Sequence, residues 1–193
     1  MEKKIRKRLR VARASPNHEI VRFLLVFIST FLFLYFFTLI YAGACAPGGL
    51  YIPFLDKYLN YVQGLRNILL HSSAYVLNLL GYQTRTNMSE LLVIGHSKIN
   101  LAYDCLGFGL MSFFCAFIIA WPEKCRKKII FLIAGLIGIQ ILNILRFVLL
   151  GLYWHSASVR IGIDHHVLFN TMMYLIISIC LFFFMSGNKR KAR

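Results

Sequence analysis

The residues that could do chemistry in this chain are few, and they stand where an apolar sequence should avoid them. Arg146 lies inside the run NILRFVLLGLYW. Cys105 follows Asp104 at the head of DCLGFGLMSFF, and His165 and His166 follow Asp164 at the head of DHHVLFNTMMY. An ionised thiol is a nucleophile for acyl transfer, and a nearby arginine or the positive end of a helix dipole favours the thiolate. A neutral imidazole is what a general base needs, and the first turn of a helix, where His166 is expected, disfavours the imidazolium. A guanidinium can hold a developing oxyanion or clamp a carbonyl or carboxylate, more strongly at low dielectric. Asn143 precedes Arg146 by three residues, nearly on one helical face, and is placed to orient it. Asp164 is a candidate N-cap of the last helix or an orienting partner for a histidine.

Each residue also has a plainer reading. An arginine in a span costs several kcal/mol unless it works or snorkels, and Arg146 lies roughly 10 Å below the outer end of its span at 1.5 Å per residue. Cys115 and Cys180 read as small core residues of apolar helices, and Cys125 lies in a loop. Cys45 and Cys105 are expected on one side of the bilayer, so a disulfide between them is the structural alternative to a nucleophile. The five cysteines show no CxxC spacing and no Cys/His pairing, and the chain has neither a carboxylate cluster nor a glycine-rich phosphate loop. No metal and no cofactor is implied.

Long apolar runs must position these groups. Of 193 residues 59% are hydrophobic and only 15% charged, too little polar surface to cover a water-soluble core of this size. The net charge of +15 sits in short basic clusters between those runs, which is the flank pattern of a membrane protein and not a nucleic-acid surface. A bilayer core of about 30 Å takes roughly 20 apolar helical residues. Spans are expected at about 20–43, 104–121, 129–154 and 166–185, the second on the short side. The segment up to Arg22 carries eight basic residues, the 122–128 loop four and the C-terminal tail four, against five in the 44–103 and 154–165 segments together. The positive-inside rule therefore puts both tails, including the basic 1–19 stretch, and the 122–128 loop in the cytoplasm. A cleaved leader is the alternative for the N-terminus, but FLLVFISTFLFLYFFTLIYAG is longer than a leader's apolar core.

Within the external 44–103 segment, residues 58–82 show apolar spacing of helical period broken by Gln63, Arg66, Asn67 and His71. This predicts an amphipathic helix at the outer interface. Residues 91–95 and 99–103 predict a short hairpin leading into the second span. The fold class is thus an all-α integral membrane protein. It comprises one domain over 1–193, a four-helix transmembrane bundle with an external amphipathic helix and a short hairpin. Cys105, Arg146 and the histidines then converge on one outward-facing side.

DCLGFGLMSFF, NILRFVLLGLYW and DHHVLFNTMMY, in that order and each at the outer half of a span, resemble the three motifs of the exosortase/archaeosortase family. The small flavobacterial-type members are the most similar in length and in the DHH-x-LFN stretch, and the resemblance covers roughly 65–185. Leu106 stands where the family usually has a small hydroxyl residue after the cysteine. The resemblance implies a Cys/Arg/His triad of Cys105, Arg146 and one of His165 or His166, with His166 favoured because it falls one turn before Asn170. It implies a cysteine transpeptidase of the bacterial inner membrane, with its active site facing the periplasm. Its substrates would be membrane-anchored exported proteins ending in a helix and a basic tail, and its acceptor a glycolipid or polysaccharide precursor. Two other readings stay open. One is a purely hydrolytic intramembrane protease. The other is a non-catalytic subunit of a polysaccharide or protein export system, with Arg146 paired to Asp104 or Asp164.

Overall fold

The computed structural model describes residues 16–46, 51–153 and 165–189. Three of its helices are long and apolar enough to cross a membrane: α1 (Pro16–Cys45), α5 (Cys125–Tyr153) and α6 (His165–Lys189). Their outer faces are apolar and uncovered. Phe33, Ile40, Ile130 and Phe183 are each more than 60% exposed, an arrangement that requires lipid as the solvent. Between α1 and α5 lie α2 (Pro53–Leu59), α3 (Tyr61–Leu79), three strands β1 (Thr84–Thr86), β2 (Glu90–Val93) and β3 (Lys98–Asn100), a 3-10 turn (Tyr103–Leu106) and α4 (Phe108–Ala120).

Successive long helices run antiparallel, as their contacts show. Phe23 of α1 meets Trp121 and Phe117 of α4 edge-on at 5.8 and 5.5 Å, and Phe27 meets Phe113 at 5.4 Å. Moving up α1 therefore means moving down α4. Phe114 of α4 packs on Phe131 of α5, and Phe131 stacks on Phe184 of α6 at 4.3 Å. Gly135 permits the α4–α5 approach, because a Cβ there would stand 2.1 Å from the Phe114 ring. These aromatic contacts share one end of the bundle with the basic 124–128 stretch.

The opposite end carries a cap. The face of α3 formed by Leu69, Leu70, Ser73 and Leu77 is buried, and Leu91 and Val93 of β2 point inward while Leu92 points out. β2 pairs antiparallel with both neighbours, Leu91 opposite Ile99 and Leu92 opposite Arg85. Ser97, in the β2–β3 turn, donates its hydroxyl to the Gly151 carbonyl at 3.0 Å and pins the sheet to the end of α5.

Two expectations need correction and one is refined. The 104–121 span is a helix only over Phe108–Ala120, thirteen residues or about 20 Å, because the chain turns left-handed at Gly107 (φ +78°) after the 3-10 turn. The amphipathic helix expected over 58–82 stands as α3 (Tyr61–Leu79), with the short α2 ahead of it. Asn60 separates them, accepting the Gln63 backbone N–H on its side chain as N-cap of α3. The hairpin is a three-stranded sheet, and β3 stops at Asn100. Its first strand, Thr-Arg-Thr, is too short and polar to announce itself by alternation.

Candidate active site

Cys105 lies in the 3-10 turn, its backbone N–H donating to the Ala102 carbonyl. Its side chain is 3% exposed, in one apolar cluster with Leu69, Leu101, Leu106 and Phe147 beneath the cap. The position differs from that expected. The thiol does not begin the α-helix, and the first turn of α4 starts three residues later, at Phe108.

α5 supplies the charge. Arg146 is 4% exposed and extends its guanidinium to both neighbours: Nη2 stands 3.9 Å from the Cys105 sulfur, and Nη1 donates to Asn170 Oδ1 of α6 at 2.9 Å. The guanidinium also lies 5.8 Å from the centre of the Phe169 ring. A buried cation is tolerable only when its donors are met, and a carboxamide oxygen and a π face meet part of that need.

Asn143 does something other than orient Arg146. It is 1% exposed, and its amide donates to the Leu106 carbonyl at 3.4 Å and to Gln140 Oε1 at 3.3 Å. Gln140 in turn donates to the Met111 sulfur at 3.0 Å. Asn143 therefore holds the turn that carries Cys105. Gly107 makes this possible twice over, by its positive φ and because a Cβ there would stand 2.9 Å from Asn143 Nδ2. Leu106 is fully buried and contributes its carbonyl.

Arg146, Asn143 and Asn170 all border a cavity of about 140 Å³, whose other walls come from α1 and the first turn of α4. Gly107 caps α4 without a side-chain hydrogen bond. Gly107 to Leu110, the first turn of the helix, line the cavity, and its first N–H groups lack intrahelical partners. Tyr103 and Phe108 stack at 5.3 Å, with Tyr61 edge-on to Phe108. Burial, with Tyr103, Tyr41 and Cys45 adding to it, pushes the Tyr61 phenol up to about 12, so this aromatic group stays neutral in the physiological range.

Cys105, Arg146 and Asn143 are thus brought together. Asp164 and the side chains of Asp104, His165 and His166 lie outside the described residues. Position 166, in the first turn of α6, precedes Asn170 by one helical turn. Cys45 and Cys105 are both buried and stand as separate free thiols, not as a disulfide. Gln140 escaped the sequence reading, and Asn170 entered it only as a marker of the face that carries His166. Each is a carboxamide inside an apolar run, and that was the available signal. No match was found among curated proteins or among solved structures. The family model of transmembrane exosortases matches residues 9–183, which takes in all three motif segments and every group described above, and the chain belongs to that family.

Proposed function

We propose that this protein is a cysteine transpeptidase of the bacterial inner membrane that cuts exported proteins at a C-terminal sorting signal and passes them to an acceptor of the cell envelope. The approach of the Arg146 guanidinium to the buried Cys105 sulfur, at 3.9 Å, carries this reading. A guanidinium at that distance favours the thiolate over the thiol and is then in place for the oxyanion that forms when the thiolate adds to a carbonyl.

His166 takes the thiol proton, and Cys105 Sγ bonds to the carbonyl carbon of the substrate peptide. The carbonyl oxygen becomes an oxyanion beside Arg146, with the first-turn N–H groups of α4 as further donors. Collapse breaks the C–N bond, and the imidazolium returns its proton to the leaving amine. An amine or hydroxyl of a glycolipid or polysaccharide precursor then attacks the thioester and releases the thiol. His165 is the alternative base. Asn170 favours His166, since helical periodicity returns position 166 to the face that meets Arg146.

In this reading the three long helices cross the bilayer, α4 fills its cytoplasmic two thirds with the 3-10 turn above it, the tails and the 122–128 loop are cytoplasmic, and the cap faces the periplasm. The basic residues Lys124, Arg126, Lys127 and Lys128 support it by lying at the end opposite the cap. Burial of Cys105 supports transfer over hydrolysis, because it limits water at the thioester.

The test compares cells carrying wild type, Cys105→Ala, Arg146→Ala and His166→Ala at equal membrane levels. The readout is the size of exported proteins bearing C-terminal helix-plus-basic tails. Accumulation of uncleaved precursor in all three variants supports the triad. Normal processing in Cys105→Ala removes the nucleophile, and the Arg146–Asn170 pair then becomes a polar pin in a non-catalytic export subunit.

A further inference from the structure

Cys105 is closed off from the capped end of the bundle. Leu69, Leu70, Leu91, Leu101 and Leu106 are at most 1% exposed and form one cluster with it. A cavity of about 140 Å³ reaches Arg146, and it lies to the side. One wall is Tyr35, Thr38 and Leu39 of α1; the other is Asn170, Met173 and Tyr174 of α6. Tyr35, Leu39 and Tyr174 are 39%, 46% and 50% exposed, so both walls run out onto the faces that these helices turn to lipid. The back wall is the start of α4. Gly109 keeps it thin, with Tyr35 Cε2 of α1 standing 3.8 Å from where a Cβ would be.

We propose that the substrate reaches Cys105 sideways, through the cleft between α1 and α6, as an extended peptide stretch continuous with a membrane-embedded helix. This rests on the acyl-transfer reading and adds the route and the residues that line it. The mouth is aromatic and aliphatic, and lies at bilayer depth. A water-soluble peptide would have to carry unpaired backbone groups through hydrocarbon to reach it, at several kcal/mol for each group. A helix already in the bilayer arrives there with its backbone bonded. The residues just beyond its end, whose N–H and C=O groups lack helical partners, then meet Thr38, Asn143, Asn170 and Arg146. A lipid acyl chain offers no hydrogen-bonding group to the polar side chains at the inner end of the cleft, which disfavours it as the occupant.

The experiment uses the full-length chain in native membranes with Cys105→Ala, so that precursor accumulates. A photoreactive benzophenone amino acid replaces Thr38, Tyr174 or, as control, Leu80, which is exposed at the cap end of α3. Precursor adducts at 38 and 174, exceeding those at 80 by about tenfold, are expected for a route through the cleft. Adducts at 80 equal to or above the other two, or lipid adducts alone at 38 and 174, overturn it. In the chain with Cys105 intact, Gly109→Leu fills the back of the cleft. Conversion of precursor should fall about tenfold while a small maleimide still labels Cys105 at near the wild-type rate. Unchanged conversion also overturns the route. If labelling falls with conversion, the crosslinks decide. Normal processing in the Cys105→Ala cells is a separate failure, that of the acyl-transfer reading itself.

Discussion

Replacing Gly107 by alanine should damage the site without touching any reacting atom. Gly107 holds φ at +78° between the 3-10 turn and α4, a left-handed conformation that costs an L-residue about 1–2 kcal/mol. The new Cβ would also stand 2.9 Å from Asn143 Nδ2, so the carboxamide must move and its 3.4 Å bond to the Leu106 carbonyl is lost. A hydrogen bond of this kind contributes about 1 kcal/mol net, and the sum is about 2–3 kcal/mol, or roughly 30- to 150-fold if all of it is expressed in the placement of Cys105. The assay is the initial rate of precursor conversion at matched membrane levels, run as a double-mutant cycle with Asn143→Ala. Asn143→Ala alone forfeits the bond. In its background Gly107→Ala keeps only the φ cost, so the two changes should be less than additive by about 1 kcal/mol. Strict additivity, or wild-type conversion in Gly107→Ala, would refute the claim that Asn143 and Gly107 jointly hold the turn.

Asn170→Ala should slow conversion by about tenfold, since a hydrogen bond to a charged group is typically worth about 1.5–3 kcal/mol and Arg146 then loses its 2.9 Å anchor. Asn170→Asp keeps the acceptor oxygen and should retain most of the rate, whereas equal loss in both variants would show that the carboxamide acts in some other way. Gly135→Val should lower the thermal midpoint of the detergent-solubilised protein, because the added side chain displaces the Phe114 ring at a typical overpacking cost of about 1–3 kcal/mol. Phe114→Leu in the same chain should recover part of that loss, and no recovery would place the strain elsewhere. Ser97→Ala should loosen the sheet from α5, read as faster amide exchange in β2 and β3 with the long helices unchanged.

Much of this was legible in the sequence, because lipid imposes a simple code. Any apolar stretch of sufficient length must satisfy its own backbone, so the long helices follow from composition, and Arg146 stands out as the residue such a stretch should not contain. The grouping of Arg146 with Cys105 was also legible, since the start of the second span and the end of the third must share a side. The boundary between turn and helix at Gly107 was not, because glycine within DCLGFGL fits both a helix and a break. Nor could the sequence separate the roles of Asn143 and Asn170. Both lie near Arg146, and the choice between them depends on how α6 packs against α5, a matter of a few ångströms that spacing along one helix does not encode. The hydrogen bonds resolve it, Asn170 to the guanidinium and Asn143 to the Leu106 carbonyl.

The shortness of α4 and the depth of the site are one fact seen from two sides. At 1.5 Å per residue its thirteen residues span about 20 Å, leaving about 10 Å of a 30 Å hydrocarbon core without α4 beside it. Arg146 lies seven residues before the end of α5 at Tyr153, again about 10 Å by the same rise. Tyr35 is level with Gly109, and α1 continues ten residues beyond it to Cys45, about 15 Å. The helix that follows Cys105 therefore starts low, and its neighbours rise past it to form a recess. Lengthening α4 by a turn would carry the thiol up and away from a guanidinium fixed to α5 and tied to Asn170 on α6. The left-handed residue that cuts the helix short and the carboxamide that grips the resulting turn thus set how deep in the bilayer Cys105 and Arg146 meet.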